Sequence, residues 1–251
     1  MEEREDFRRR FDRRLETVRA KTADVFAFRE MEEPPFLVNS AFYWVSGLDT
    51  DDFPDTYFDD PAVMTDYQER LYYEQVREID DSFVPYLMPW FGTVVAASAF
   101  GCRVEYPRRQ DPAADPRLFP VRTPEDIRRL KMPDPEKDGL MPKVLAFIRH
   151  MKKHSFLPVG ITDFQGPLTT ANLLMGYDKL IYLMQDDPTA VHELMGKLTE
   201  ALILWVKTQK ALIGEPIDQC IGDQQVYLGR NAGIWFSDDD AVLMSPRSYK
   251  E

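Results

Sequence analysis

The chain has 251 residues, with 31 Lys plus Arg against 43 Asp plus Glu and a formal net charge of −12. A hydrophobic fraction of 44% is enough to bury a core, which excludes a disordered chain. The acidic balance argues against nucleic acid as a partner, and no apolar run approaches the ~20 residues of a membrane span. The charged start MEEREDFRRRFDRR lacks the apolar segment of a signal peptide. Cys102 and Cys220 are far apart and read as unpaired thiols of a reducing, cytoplasmic compartment, and no zinc-ligand spacing occurs.

Phe7, Phe11, Leu15, Val18 and Val25 recur at helical intervals and predict an N-terminal helix. Its cluster Arg8, Arg9, Arg10, Arg13 and Arg14 is interleaved with acids and reads as a solvated face. After Pro34 and Pro35, the run Phe36-Leu37-Val38 is a first buried-strand candidate. Residues 48–60 read as a long loop, and Asp60-Pro61 opens a helix through YQERLYYEQVREI. SFVPYLMPWFG is a second strand candidate, TVVAASAFG a closely packed helix, and CRVEY a brief extended segment.

A proline-rich loop, 107–120, precedes the helix start Thr123-Pro124-Glu125-Asp126. A further helix is expected over 140–154, carrying His150 and His154 among Arg149, Lys152 and Lys153; these read as a surface pair, since a zinc site needs more ligands. LPVGIT is the third strand candidate, followed by a turn and a helix in DFQGPLTTANLLMG. Asp187-Pro188 caps a long helix that Gly214 ends. IDQCIGD and GIWFSDDD are the fourth and fifth strands, and Ser245-Pro246 opens another helix. Strands alternating with long helices predict βα units and a parallel sheet.

The order GPLTTANLLMGYDKLIYLMQDDPTAVHELMGKLTEALILWVKTQKALIG, then GIWFSDDDAVLMSPRSYKE, resembles the uroporphyrinogen decarboxylase superfamily. FGTVVAASAFGCRVEY followed by TPEDIRRL fits the same layout. The resemblance implies a (β/α)8 barrel of TIM type, over residues 34–251, preceded by a helical extension over 1–33. Five clear strand candidates and a final helix start with no helix after it predict a barrel truncated at its C-terminus, which would cover its open edge by homo-oligomerisation.

Two chemistries are implied: cofactor-free decarboxylation of porphyrinogen acetates, and zinc-assisted methyl transfer with a corrinoid protein as partner. Where the decarboxylase branch carries paired arginines, this sequence reads NSAFYWVSG. Its aspartate is missing from Trp90-Phe91-Gly92-Thr93, and its tyrosine falls on Asn172. An anionic porphyrinogen would therefore meet no evident cationic clamp. The resemblance is closer to the methyltransferase-like branch. It implies no cofactor within this chain, and zinc only if a C-terminal segment with its ligands follows.

Barrel sites lie at the C-terminal ends of strands. Asp163, Asp223 and Asp239 are the expected catalytic carboxylates, Asp239 first because the resemblance places an acid there. Gln165, Gln224 and Asp238 would complete an acidic, amide-rich rim for a neutral or cationic small molecule, with Asn39 and Asn172 as further contacts and Tyr43, Trp44, Trp90 and Phe91 as an apolar wall. Bland readings stand beside each: a solvated acidic loop for 238–240, a capped turn for Asp163, and packing for the aromatics. The expected function is methyl transfer or demethylation of the corrinoid-linked type. Uroporphyrinogen decarboxylation and a non-catalytic binding or assembly subunit are the alternatives.

Overall fold

A computed structural model describes residues 2–38, 53–108, 110–163, 165–222, 226–230, 233–234, 236–245, 247 and 249. The chain divides into two compact units. The first comprises Met1–Pro89, Ala146–Ile161 and Lys210–Trp235; the second comprises Trp90–Leu145, Thr162–Gln209 and Phe236–Glu251. No helix among the described residues is long and apolar enough to cross a membrane.

The elements in chain order are α1 (Glu2–Phe26), α2 (Pro61–Glu78), α3 (Val95–Ala99), β1 (Val104–Glu105), β2 (Ala113–Ala114), α4 (Pro124–Arg129), α5 (Met141–His154), α6 (Pro167–Met175), α7 (Tyr177–Asp186), α8 (Pro188–Ile213), β3 (Gln219–Cys220) and β4 (Gly229–Arg230). A 3-10 helix, Asp239–Leu243, follows. The helix starts obey local chemistry. Asp60 accepts from the Ala62 amide at 2.8 Å, and Asp187 accepts from the Ala190 amide at 3.0 Å. Thr123 and Asp126 close a reciprocal capping box at the head of α4.

In the first unit, α1 buries Phe7, Phe11 and Val18. The Phe7 ring lies 5.3 Å from both Tyr73 and Phe156. Val25, expected in the buried stripe, is exposed near the helix end. Arg14 corrects the reading of a uniformly solvated arginine face. Its Nη1 donates to Asp81 Oδ1 at 2.7 Å and its Nη2 to the Ile79 carbonyl at 2.5 Å, with the Asp81 side chain fully buried. Asp81 also accepts the amides of Val38 and Phe83, so one carboxylate ties α1 to two extended segments. Leu87 pairs in parallel with Val159, its amide bonding the Pro158 carbonyl at 2.9 Å and its carbonyl the Gly160 amide at 2.8 Å. The Tyr86 ring lies where side chains at Gly160 and Gly222 would be. A Cβ at either would come within 3.0 Å of the ring.

The second unit packs Val94, Ala97, Val121, Ile127, Leu168, Leu174, Leu180, Leu194 and Leu198 into one core. The small residues of α3 let it bury four of its five positions, Val95 to Ser98, with Ala97 in this core, as its composition predicts. Gln165 pairs in parallel with Ser237, joining the ends of the third and fifth strand candidates.

The continuous parallel sheet needs correction. Parallel pairing among the described residues occurs as isolated bridges, whereas both named ladders, β1–β2 and β3–β4, are antiparallel. Pro85, Pro89 and Pro158 stand within or beside the second and third strand candidates and cannot donate to a ladder. The fourth strand folds back on 229–230 as a hairpin, and the loop over 107–120 contributes β2. Pro246, expected to open a final helix, lies outside the described residues.

Candidate functional site

Every described site candidate belongs to the second unit. Asp163 and Gln165 lie two residues apart just after the third strand candidate. Both are buried, and Gln165 Oε1 has no hydrogen-bond partner among the described residues. Just behind this segment, the Thr162 amide donates to Gln209 Oε1 of α8 at 2.8 Å, fixing the strand against the helix.

The three consecutive acids separate by role. Asp238 caps α6, accepting from the Thr169 amide at 2.8 Å and the Leu168 amide at 3.4 Å. Gly166 makes this approach feasible, because a Cβ there would lie 2.5 Å from the Asp238 carboxyl carbon. Asp240 accepts from Asn172 Nδ2 at 3.0 Å. Asp239 is exposed and accepts from the Ser237 hydroxyl. Consecutive carboxylates pointing at different partners do not form a cation cage. Asp238, Asp240, Asn172 and, through the bridge to Ser237, Gln165 thus form one connected constellation. Asp239, the foremost expected catalytic residue, sits at its solvent edge.

Trp90 and Phe91 take a different part. Both are buried, and Trp90 Nε1 donates to Asp111 Oδ1 at 2.6 Å. The Lys143 ammonium lies 5.5 Å from the Phe91 ring centre and 5.6 Å from that of Tyr106. Gly92 adopts φ +62, and a Cβ there would meet the Pro112 carbonyl oxygen at 2.4 Å, so the loop over 107–120 passes hard against this turn. A carboxylate therefore does reach the end of the second strand candidate, from Asp111. The sequence carried no local signal for it, because Asp111 arrives from a loop with no periodicity. Asn39, Tyr43, Trp44, Asp223 and Gln224 lie outside the described residues.

Burial pushes the Asp111 carboxyl above the usual carboxylate range, with the Trp90 hydrogen bond acting the other way. The native state then holds this proton more tightly than the unfolded chain. Its contribution is most favourable in acid and is lost as pH rises through the unfolded value to the raised native one. Asp111→Asn retains an acceptor for Trp90 and removes the charge. It is expected to raise the melting temperature at pH 7, with the gain vanishing in acid. An Asn variant that melts lower at pH 7 would contradict this.

Metal chemistry finds no donor set here. No group of three or more His, Cys, Asp or Glu side chains able to hold a metal ion occurs among the described residues. His150 and His154 stack with ring centres 4.3 Å apart; burial and then the neighbouring His154 hold His150 below its ordinary value. The Cys102 thiol is buried and pushed up to about 12 by that burial, which disfavours the reactive thiolate. The described residues therefore do not fit a zinc centre.

The family pattern described as Uroporphyrinogen decarboxylase (URO-D) matches residues 84–212. Uroporphyrinogen decarboxylase of Carboxydothermus hydrogenoformans is 32% identical over 99 residues, covering 37% of this chain and 28% of that protein. The enzyme of the same name from Anaeromyxobacter sp. is 34% identical over 98 residues, covering 37% and 28%. The match thus spans little more than a quarter of the length of these curated relatives. A solved methyltransferase from Methanosarcina mazei superposes with a TM-score of 0.64 at 15% identity, over 93% of this chain and 63% of that one. These likenesses give the fold as TIM-barrel-like α/β. With a family pattern covering more than half of its length, the chain belongs to the uroporphyrinogen decarboxylase (URO-D) family.

Proposed function

We propose that this chain acts on a small methyl-bearing molecule, in methyl transfer or demethylation of the corrinoid-linked type. The observation that carries the reading is the buried Gln165 side-chain carbonyl oxygen, which has no hydrogen-bond partner among the described residues, two positions from the buried Asp163. A buried acceptor without a partner, near a carboxylate, favours a ligand that brings hydrogen-bond donors. A protonated methylamine meets that requirement. A polycarboxylate porphyrinogen would meet acceptors where it needs donors.

Asp238 and Asp240 serve as positioning residues, holding α6 and Asn172 beside the strand ends. Asp239, Asp223 and Gln224 remain the further rim groups of this reading, with Asn39 as a further contact and Tyr43, Trp44, Trp90 and Phe91 as its apolar wall. A corrinoid on a separate partner protein would exchange the methyl group, and none of the described residues is assigned to it. Residues able to hold zinc would have to come from outside the described part of the chain. A homo-oligomer belongs to the same reading.

Calorimetric titration with monomethylammonium, and separately with uroporphyrin, tests it. Monomethylammonium is expected to bind, with Asp163→Asn and Gln165→Leu each weakening it by roughly tenfold, the scale of one lost charge-assisted or buried hydrogen bond. Methyl transfer from it to added reduced corrinoid should fall in parallel. Binding of uroporphyrin alone would overturn the proposal in favour of the decarboxylase. Binding of neither would favour a non-catalytic subunit.

A further inference from the structure

The first unit holds a second place suited to a ligand, and it does not depend on the methyl-transfer reading. A cavity of about 1000 Å³ opens between the C-terminal half of α1, the segment 155–159, the end of α8 and the β3–β4 hairpin. This is at the upper end of the ~300–1000 Å³ range typical of small-molecule sites. Phe26, Phe156 and Ile213 are among its apolar lining residues, and Arg19, Lys152 and Tyr227 among its polar ones.

The charges facing this cavity are unbalanced. Arg19 donates from Nε to the Tyr227 hydroxyl at 3.2 Å and has no carboxylate partner among the described residues. Lys152 donates to the Leu212 carbonyl at 2.6 Å, at the end of α8, and likewise has no acidic partner there. The acid lining the cavity, Glu215, is already engaged. It accepts from Lys210 Nζ at 2.9 Å and from the Ile221 amide at 2.6 Å. Some cations of this acidic chain are held by acids, Arg14 by Asp81, Arg10 by Asp6, Arg29 by Asp24 and Arg117 by Asp115, whereas the two at this cavity are not, among the described residues. With Glu215 taken by Lys210, the charges left to this partly apolar cavity are those of Arg19 and Lys152, which favours an anionic ligand.

We infer that this cavity binds an amphipathic monoanion, a carboxylate carried on an aliphatic or aromatic body, with the head group drawn to Arg19 and Lys152 and the body against Phe26, Phe156 and Ile213. Arg19 supplies the fork geometry that suits a carboxylate, and the Lys152 ammonium adds a point charge. The apolar lining supplies the dependence on chain length.

Titration calorimetry of the full chain with decanoate, decylammonium, decanol and acetate tests the inference. Decanoate is expected to bind at least roughly tenfold more tightly than each of the other three, a discrimination of the size one charge-assisted contact provides. Arg19→Gln and Lys152→Gln should each cut decanoate affinity severalfold and shift the melting temperature little, because each side chain is exposed and gives up one solvent-accessible hydrogen bond. Ala23→Trp, which fills the cavity from the exposed side of α1, should abolish binding while the protein still folds. Decylammonium or decanol binding as tightly as decanoate would overturn the inference, as would undiminished binding by the Arg19→Gln/Lys152→Gln double variant. Absence of decanoate binding to the unaltered chain would overturn it outright.

Discussion

Asp81→Ala is expected to cost about 3–5 kcal/mol of stability, the range for removing one member of a buried ion pair. The Asp81 side chain is fully buried and that of Arg14 is 10% exposed, so removing the carboxylate strands a guanidinium away from water. The amides of Val38 and Phe83 lose their acceptor in the same step. Urea unfolding followed by circular dichroism measures the loss, and a shift below ~1 kcal/mol would show that water reaches the site. Asp6→Ala provides the contrast. Asp6 is partly exposed on α1, where it pairs with Arg10 and accepts from the Tyr73 hydroxyl at 3.2 Å, and its loss should cost much less than that of Asp81. A combined Arg14→Leu/Asp81→Leu variant should recover much of the deficit, since two apolar groups leave no buried charge behind.

Lys210→Met is the second change with a large expected effect, about 3 kcal/mol or more by the same reasoning. The Lys210 side chain is 2% exposed at the end of α8. Its ammonium gathers the Glu215 carboxylate and the carbonyls of Pro216 and Gln219, and Glu215 in turn accepts the Ile221 amide. One cation thus organises the whole turn from α8 into β3. Methionine matches the stem in length but leaves Glu215 without its counter-charge. Chemical unfolding of Lys210→Met and of Lys210→Met/Glu215→Leu separates the terms. The double variant should be the more stable of the two. If it is the less stable, the pair contributes more than the avoidance of an unpaired charge.

What the sequence disclosed follows from the range of each interaction. The starts of α2, α4 and α8 were legible because Asp60, Thr123 and Asp187 bond amides two or three residues away. The burial of α3 was legible from its small residues. Asp81 as the partner of Arg14 was not, since the two are 67 positions apart and Arg14 sits in a run of arginines that otherwise faces water. The strand register escaped for a related reason. Apolar runs predict extension, but the prolines within them determine which amides remain to pair. At the site, the end of the third strand and the acids after the fifth were legible as neighbours through the family resemblance, and the Gln165–Ser237 bridge joins them. The division of labour among Asp238, Asp239 and Asp240 was not legible, because it depends on where α6 begins relative to each carboxylate. Asp111 stayed hidden because a loop delivers it to Trp90 from 21 residues away.

The ring of Tyr86 fills space that two glycines vacate on other segments. Positions 86 and 160 therefore behave as a mortise-and-tenon joint, whereas Gly222 is held small first by the Val226 backbone carbonyl, 2.7 Å from where its Cβ would be. Where a homologous chain carries a larger residue at position 160, a slimmer residue in place of the tyrosine is the natural compensation, so drift at those two sites should be concerted.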